Sequence, residues 1–405
     1  MKILFVTGIY AKESEDYFRH NVRDASLQNA ANVFQWGVIE GLYQNQVDFE
    51  VVSFPFLPCF PVNYRMLYTL NDDIKLNGTV VGKQCAYCTV PVIKQLSMQY
   101  RLHDYVKQWL IKNDSEHNDL VILTYTPMSW MIYPLKSLKK KYKFRICSII
   151  PDLIDDATNP VFKLSPHKYI QARIEQNLIW NSYPYIDKYV LLSEQMQDKI
   201  PQARNNFVRV EGLAQVPVIP KVEEKYNTIK TLLYTGSLEY FTGVKNLIDA
   251  FLMTSNPEYR LVVCGDGPLA DYIVNSSHRD DRIIYKGIVS REESVKLQGE
   301  STLLVNPRIP EVSLTMYSFP SKTMEYLISG TPMIGYRLDG IPEEYYEHFY
   351  IPEDFSVVSL KETIMSVLSL PSYALYEKAR KAQDFILNNK TPGIQVRKII
   401  DYLEY

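Results

Sequence analysis

At 405 residues the chain is too long for one ordinary hydrophobic core and suits two domains of roughly 200 residues each. A hydrophobic content of 46% with 22% charged residues fits a soluble globular chain, and a formal charge of −2 provides no positive field to attract nucleic acid. No apolar run approaches the roughly 18 to 20 residues of a transmembrane helix. Met1-Lys2 leads directly into Ile3-Leu4-Phe5-Val6 with no small-residue cleavage site behind it, so a buried strand is expected there rather than a signal peptide, and the cytoplasm is the expected compartment.

In the first half, strands are predicted over 2–7, 49–54, 120–125, 144–150 and 188–192, with helices over 26–43, 96–112, 128–142 and 167–182. Residues 8–24 read as a polar loop and 55–91 as a long irregular stretch rich in aromatic residues. Within that stretch Cys85 and Cys88 look like half a zinc site. No second cysteine pair completes it, so free thiols in a loop are expected. Cys147 and Cys264 lie in apolar runs and read as small core residues.

The pattern breaks over 216–230, at prolines and the charged Glu223-Glu224-Lys225, and alternation then resumes. Strands are predicted over 231–235, 259–264, 283–285, 302–306 and from 333. Helices are predicted over 244–253, 269–275, 291–299, from 321, and over 360–368 and 373–387. A last helix over 394–405 follows the Thr391-Pro392-Gly393 break. The expected fold class is α/β, with two doubly wound Rossmann-like domains, 1–215 and 216–393, whose parallel sheets are covered on both faces. Ligands in such sheets bind at the carboxyl ends of the strands.

The most informative stretch runs from Tyr317 through Ser318, Phe319, Pro320, Ser321 and Lys322 to Glu325, then Gly330-Thr331-Pro332. Pro320 and Ser321 are helix-start signals, with Ser321 expected to cap, and Gly330 and Pro332 stop the helix about two turns later. A helix N-terminus beside a lysine is a ready phosphate site, and Glu325, one turn inside, is placed to accept from a sugar hydroxyl. Diphosphate above and ribose beside it describe a nucleotide-sugar. Arg308, directly after a predicted strand, can chelate phosphate oxygens through its planar fork. The alternative for Arg308 and Lys322 is two solvated surface cations.

At these residues the chain resembles the retaining glycosyltransferases of family 4, in particular the subgroup reading Phe-Pro-Ser-Lys…Glu-Tyr. The resemblance implies the GT-B arrangement, two Rossmann-like domains facing across a cleft, with the nucleotide-sugar held by the second domain and the last helix crossing back onto the first. It places donor-binding roles on Gly8, Ser237, Gly265, Gly287, Ser318, Phe319, Ser321 and Glu325, and an acceptor-side contact on Asn32. Gly265 lies in Cys264-Gly265-Asp266-Gly267-Pro268, similar to the family's Gly-Asp-Gly-Pro turn, and Gly287 in the segment whose backbone reads the nucleobase.

The chain also departs from the family pattern. The usual arginine and lysine of the glycine-rich turn fall on Ser237 and Thr242, which leaves Arg308 and Lys322 to neutralise the diphosphate. No histidine follows the strand at 144–150; Pro151-Asp152-Leu153 stands there, and Asp152 becomes the candidate beneath the reacting sugar, or else a loop cap. The first glutamate of the family's spaced pair falls on Tyr317, with Glu311 nearby as a substitute. No Asp-x-Asp occurs, so no metal is expected to bridge the diphosphate.

The resulting expectation is a metal-independent, retaining sugar transferase with catalytic candidates Asp152, Arg308 and Lys322. It would need no cofactor beyond its nucleoside-diphosphate sugar, with a UDP-sugar favoured. Its acceptor would be a glycan or lipid-linked saccharide, as in surface polysaccharide or capsule biosynthesis. The rivals are a non-catalytic subunit that binds or chaperones another transferase, and a nucleotide-sugar epimerase. A basic segment, Lys136 to Arg145, reads as a solvated helix end or as a peripheral contact with an anionic membrane surface.

Overall fold

The structure, a computed structural model, describes residues 1–23, 29–113, 119–153, 166–214, 229–310 and 313–405. It divides into two compact units, Met1–Gln215 with Pro392–Tyr405, and Val216–Thr391.

Unit 1 runs β1 (Lys2–Thr7), α1 (Glu15–Asn21), α2 (Asn29–Gln44), β2 (Asp48–Ser53), β3 (Asp72–Leu76), β4 (Thr79–Gln84), α3 (Ile93–Asn113), β5 (Leu120–Tyr125), α4 (Ser129–Leu138), β6 (Arg145–Ile150), α5 (Pro166–Trp180), β7 (Lys188–Leu191) and β8 (Phe207–Arg209). Its sheet has the order β3-β4-β2-β1-β5-β6-β7-β8. The sheet is parallel except at one edge, where β3 and β4 form an antiparallel hairpin. That hairpin corrects the all-parallel expectation and divides the stretch expected to be irregular. Asn77 and Gly78 make its turn with φ of 51° and 79°, the chirality a tight hairpin turn requires. Residues 8–24, expected as a loop, contain α1, which buries Phe18 against Tyr10, Leu57 and Tyr64.

Unit 2 runs β9 (Lys230–Thr235), α6 (Val244–Leu252), β10 (Tyr259–Cys264), α7 (Ala270–Arg279), β11 (Ile283–Gly287), α8 (Arg291–Glu300), β12 (Leu303–Asn306), α9 (Ser313–Met316), α10 (Ser321–Ile328), β13 (Met333–Gly335), α11 (Val357–Leu368) and α12 (Ser372–Asn389). The strands are parallel in the order β11-β10-β9-β12-β13, so the chain reverses direction across the sheet between β9 and β12. On one face of the sheet Leu232, Leu261, Val263 and Leu303 share a core with Leu247 and Phe251 of α6 and Ile364 of α11, and α8 and α10 also pack against its strands.

The final helix, α13 (Pro392–Glu404), belongs to unit 1. Val396, Ile399 and Leu403 enter the same core as Ile3, Phe5, Val38 and Leu42.

Candidate nucleotide-sugar site

In an open parallel sheet the loops at the reversal point diverge and leave a crevice at the strand carboxyl ends. In unit 2 those loops begin at Gly236 after β9 and at Pro307 after β12. Lys322, in the first turn of α10, lies against the first of them. A methyl group built on Gly236 would lie 1.7 Å from Lys322 Nζ, and Gly236 has φ of 139°, where an L side chain is strained. Glycine is therefore what admits the lysine. Its ammonium donates to the Tyr234 hydroxyl (3.1 Å) and sits 4.3 Å from the centre of that ring. Tyr234 in turn donates to the Ser237 carbonyl at 2.6 Å. Burial brings the Lys322 pKa down to about 8, opposed by the Glu325 carboxylate and assisted by the Arg308 charge. Burial likewise pushes Tyr234 up to about 12.

Arg308 is half-buried, donates to Ser318 Oγ at 3.0 Å and lies 5.9 Å from the Phe241 ring centre. Both cations thus stand at the same reversal point. α10 is bound to β9 from beneath: the Tyr326 hydroxyl accepts from the Thr235 amide at 2.9 Å. Glu325 is exposed and its Oε1 accepts from Gln298 Nε2 at 2.5 Å. Gln298 comes from α8 and carries no motif signal, so the sequence reading misses it, as it misses Tyr234.

The remaining donor-side candidates of unit 2 divide by role. Ser237 is exposed beside Gly236, while Thr242 turns its hydroxyl back to the Glu239 carbonyl at 2.6 Å. Gly265 has its Cα against the Gly236 carbonyl, 1.8 Å from a built methyl, which locks the two turns together. Gly287 caps β11 with open space around it, and its carbonyl accepts from the Gly265 amide at 2.7 Å. Ser318 holds Arg308. Phe319 is buried with its ring 5.2 Å from that of Tyr345, so its side chain packs inward. The capping expectation for Ser321 is corrected: Pro320 occupies the cap with extended geometry and no side-chain cap bond, and Ser321 is the exposed first helical residue. Tyr317 is half-buried, and Glu311 lies outside the described residues.

In unit 1, Gly8 follows β1, and its amide is taken by Gln35 Oε1 at 2.7 Å. A methyl built on it would lie 2.3 Å from the Phe56 ring, so Gly8 shapes the loop from inside. Gln35 also had no sequence signal. Asn32, one turn before it on α2, has a buried Oδ1 that accepts no hydrogen bond from the described residues. Asp152 is exposed just beyond β6. Its charge adds to burial in raising the pKa of Tyr125, whose ring lies 5.6 Å from that of Phe34 and 6.4 Å from that of Phe56. Gly8, Asn32 and Asp152 therefore stand around the carboxyl ends of β1, β5 and β6. Asp155 and Asp156 lie outside the described residues.

Among the described residues no group of three His, Cys, Asp or Glu side chains could hold a metal ion, and no helix is long and apolar enough to cross a membrane. Of the apolar face preceding the basic segment, Met131, Ile132, Leu135 and Leu138 lie in the core and Met128 is half-buried. Lys139 pairs with Asp187, Lys136 stacks on Tyr185 at 4.0 Å, and Arg145 pairs with Asp119. Only Lys140, Lys141 and Lys143 of this segment's cations are exposed.

Two Rossmann-like units of this construction make the chain a GT-B fold. Residues 215–385, nearly all of unit 2, match the family model Glycosyl transferases group 1. Similar solved structures include the lipopolysaccharide outer core galactosyltransferase WaaB in its apo form (16% identity, TM-score 0.60, covering 100% of this chain and 99% of that one). Another is sucrose-phosphate synthase from Thermosynechococcus elongatus (13%, 0.63, 100% and 98%). A third is Anabaena HepE in complex with UDP and glucose (13%, 0.61, 100% and 99%). No curated protein sequence matches the chain.

Proposed function

We propose that the chain is a retaining glycosyltransferase that takes a sugar from a nucleoside-diphosphate sugar, a UDP-sugar in preference, without a metal or further cofactor. The observation that carries this reading is the gathering of Lys322, Arg308, the α10 N-terminus and Glu325 at the reversal point of the unit 2 sheet. Two cations and a ring of first-turn amides suit a diphosphate, and a carboxylate one turn along suits ribose hydroxyls. Lys322 takes up the role left vacant at Ser237 and Thr242. HepE, solved with UDP and glucose, supports the ligand class. In this reading Arg308 and Lys322 stabilise the leaving diphosphate as the glycosidic bond breaks, and Asp152 acts on the reacting sugar.

The acceptor we propose is a glycan or lipid-linked saccharide of surface polysaccharide or capsule assembly, made in the cytoplasm. Contact with an anionic membrane surface would be electrostatic alone, through Lys140, Lys141 and Lys143, because the neighbouring apolar face is spent on the core. Calorimetry with UDP and GDP tests the nucleotide site: Glu325→Gln should weaken binding by about 1.5–3 kcal/mol, and unchanged affinity for both removes Glu325 from it. Incubation with several nucleotide-sugars, with and without acceptor saccharides, separates the alternatives. A transferase hydrolyses or transfers, an epimerase converts donor alone, and a non-catalytic subunit does neither.

A further inference from the structure

Glu325 stands on an exposed position of α10, where a glutamate ordinarily spreads over several rotamers. Here one of its oxygens is held by Gln298, which is 1% exposed and is the one residue that α8 buries. Burying a primary amide costs free energy unless its donors are satisfied, and a leucine at this position would carry no such requirement. Nε2 of Gln298 donates both to Glu325 Oε1 (2.5 Å) and to Ser294 Oγ (3.2 Å). Its backbone carbonyl accepts from Thr331 Oγ1 (2.7 Å), which fixes the residue to the segment after α10. Among the described residues no cation forms an ion pair with Glu325. A neutral donor therefore holds one oxygen without cancelling the charge that makes the other a strong acceptor.

We propose that Gln298 is a positioning residue that presents Glu325 to the ribose of the bound nucleotide and thereby makes the site discriminate against 2′-deoxyribonucleotides. This rests on the reading of Glu325 as the ribose contact. A carboxylate clamped at one oxygen meets a hydroxyl at a fixed place; a mobile one meets it only in a fraction of its rotamers.

The test is calorimetry on the full chain with UDP and 2′-deoxy-UDP, and the guanine pair in parallel, for wild type, Gln298→Leu, Ser294→Ala and Glu325→Gln. Wild type should prefer the ribonucleotide. Gln298→Leu should narrow that preference by roughly three- to tenfold, through loss of ribonucleotide affinity with deoxynucleotide affinity unchanged. Ser294→Ala, which removes the second anchor of the amide, should narrow it less, and it carries the test if Gln298→Leu does not fold. An intact preference in these variants, or equal weakening of both nucleotides, overturns the positioning role while leaving Glu325 in place. No preference in wild type, with Glu325→Gln neutral, overturns the ribose contact itself and this inference with it.

Discussion

Lys322 lies directly over the backbone of Gly236, in the space that a side chain on residue 236 would fill. The pairing joins two segments far apart in sequence and puts a cation where the glycine-rich turn has none of its own. It also desolvates that cation, which is why its pKa falls to about 8.

Nucleotide affinity should therefore depend on pH. A diphosphate favours the protonated amine, so affinity should fall as pH rises through about 8, with proton uptake on binding near that pH. Calorimetry in buffers of different ionisation enthalpy measures the uptake, and Lys322→Met should abolish it. The sign for stability is opposite: a lysine held below its unfolded pKa of about 10.5 binds fewer protons in the fold. The lysine's contribution to stability should thus rise from about pH 8 to about 10.5, as the difference between wild type and Lys322→Met in urea melts.

Gly236→Ala should displace the lysine as well as strain a backbone at φ 139°. We expect diphosphate affinity to fall roughly tenfold or more, with a stability loss of about 1–2 kcal/mol. Gly287→Ala serves as comparison: it is also at positive φ but meets nothing within 4 Å, so it should cost stability while the lysine stays in place.

Arg308→Ala should lower turnover more than it weakens ground-state donor binding, because in the proposed reaction its guanidinium meets charge that grows as the diphosphate leaves. Activity should survive chelator. Loss in chelator with recovery in manganese or magnesium would show that a metal does this work instead.

Asp152→Asn should lower turnover far more than nucleotide affinity. The residue lies beyond β6 in unit 1, whereas the two cations belong to unit 2. Parallel loss in both quantities, measured by initial rates beside calorimetry, would mark a structural role.

Strands buried on both faces were legible as apolar runs, and β5 and β10 lie where the residues predicted them. The β3–β4 hairpin was not, because the edge strand β3, bearing Asp72, Asp73 and Lys75, and its neighbour β4, bearing Lys83, look like loops; Asn77-Gly78 was the available signal. The segment from Ser318 to Glu325 announced itself through local chemistry. Its supports did not. Tyr234 and Gln298 meet Lys322 and Glu325 across separations of 88 and 27 residues, and no periodicity encodes such a meeting.

The placement of α13 has a consequence for biosynthesis. Val396, Ile399 and Leu403 fill the core over α2, Arg145 donates to the Leu403 carbonyl at 2.6 Å, and Asn45 donates to the Gly393 carbonyl at 2.8 Å. The unit begun first on the ribosome is thus finished last: until residues 392–405 emerge, α2 shows water an apolar face, while unit 2 already holds everything its own core requires. A nascent chain stalled between these points would carry a closed unit 2 beside an open, aggregation-prone unit 1. Removing residues 392–405 should accordingly unravel unit 1 and spare the thermal transition of unit 2.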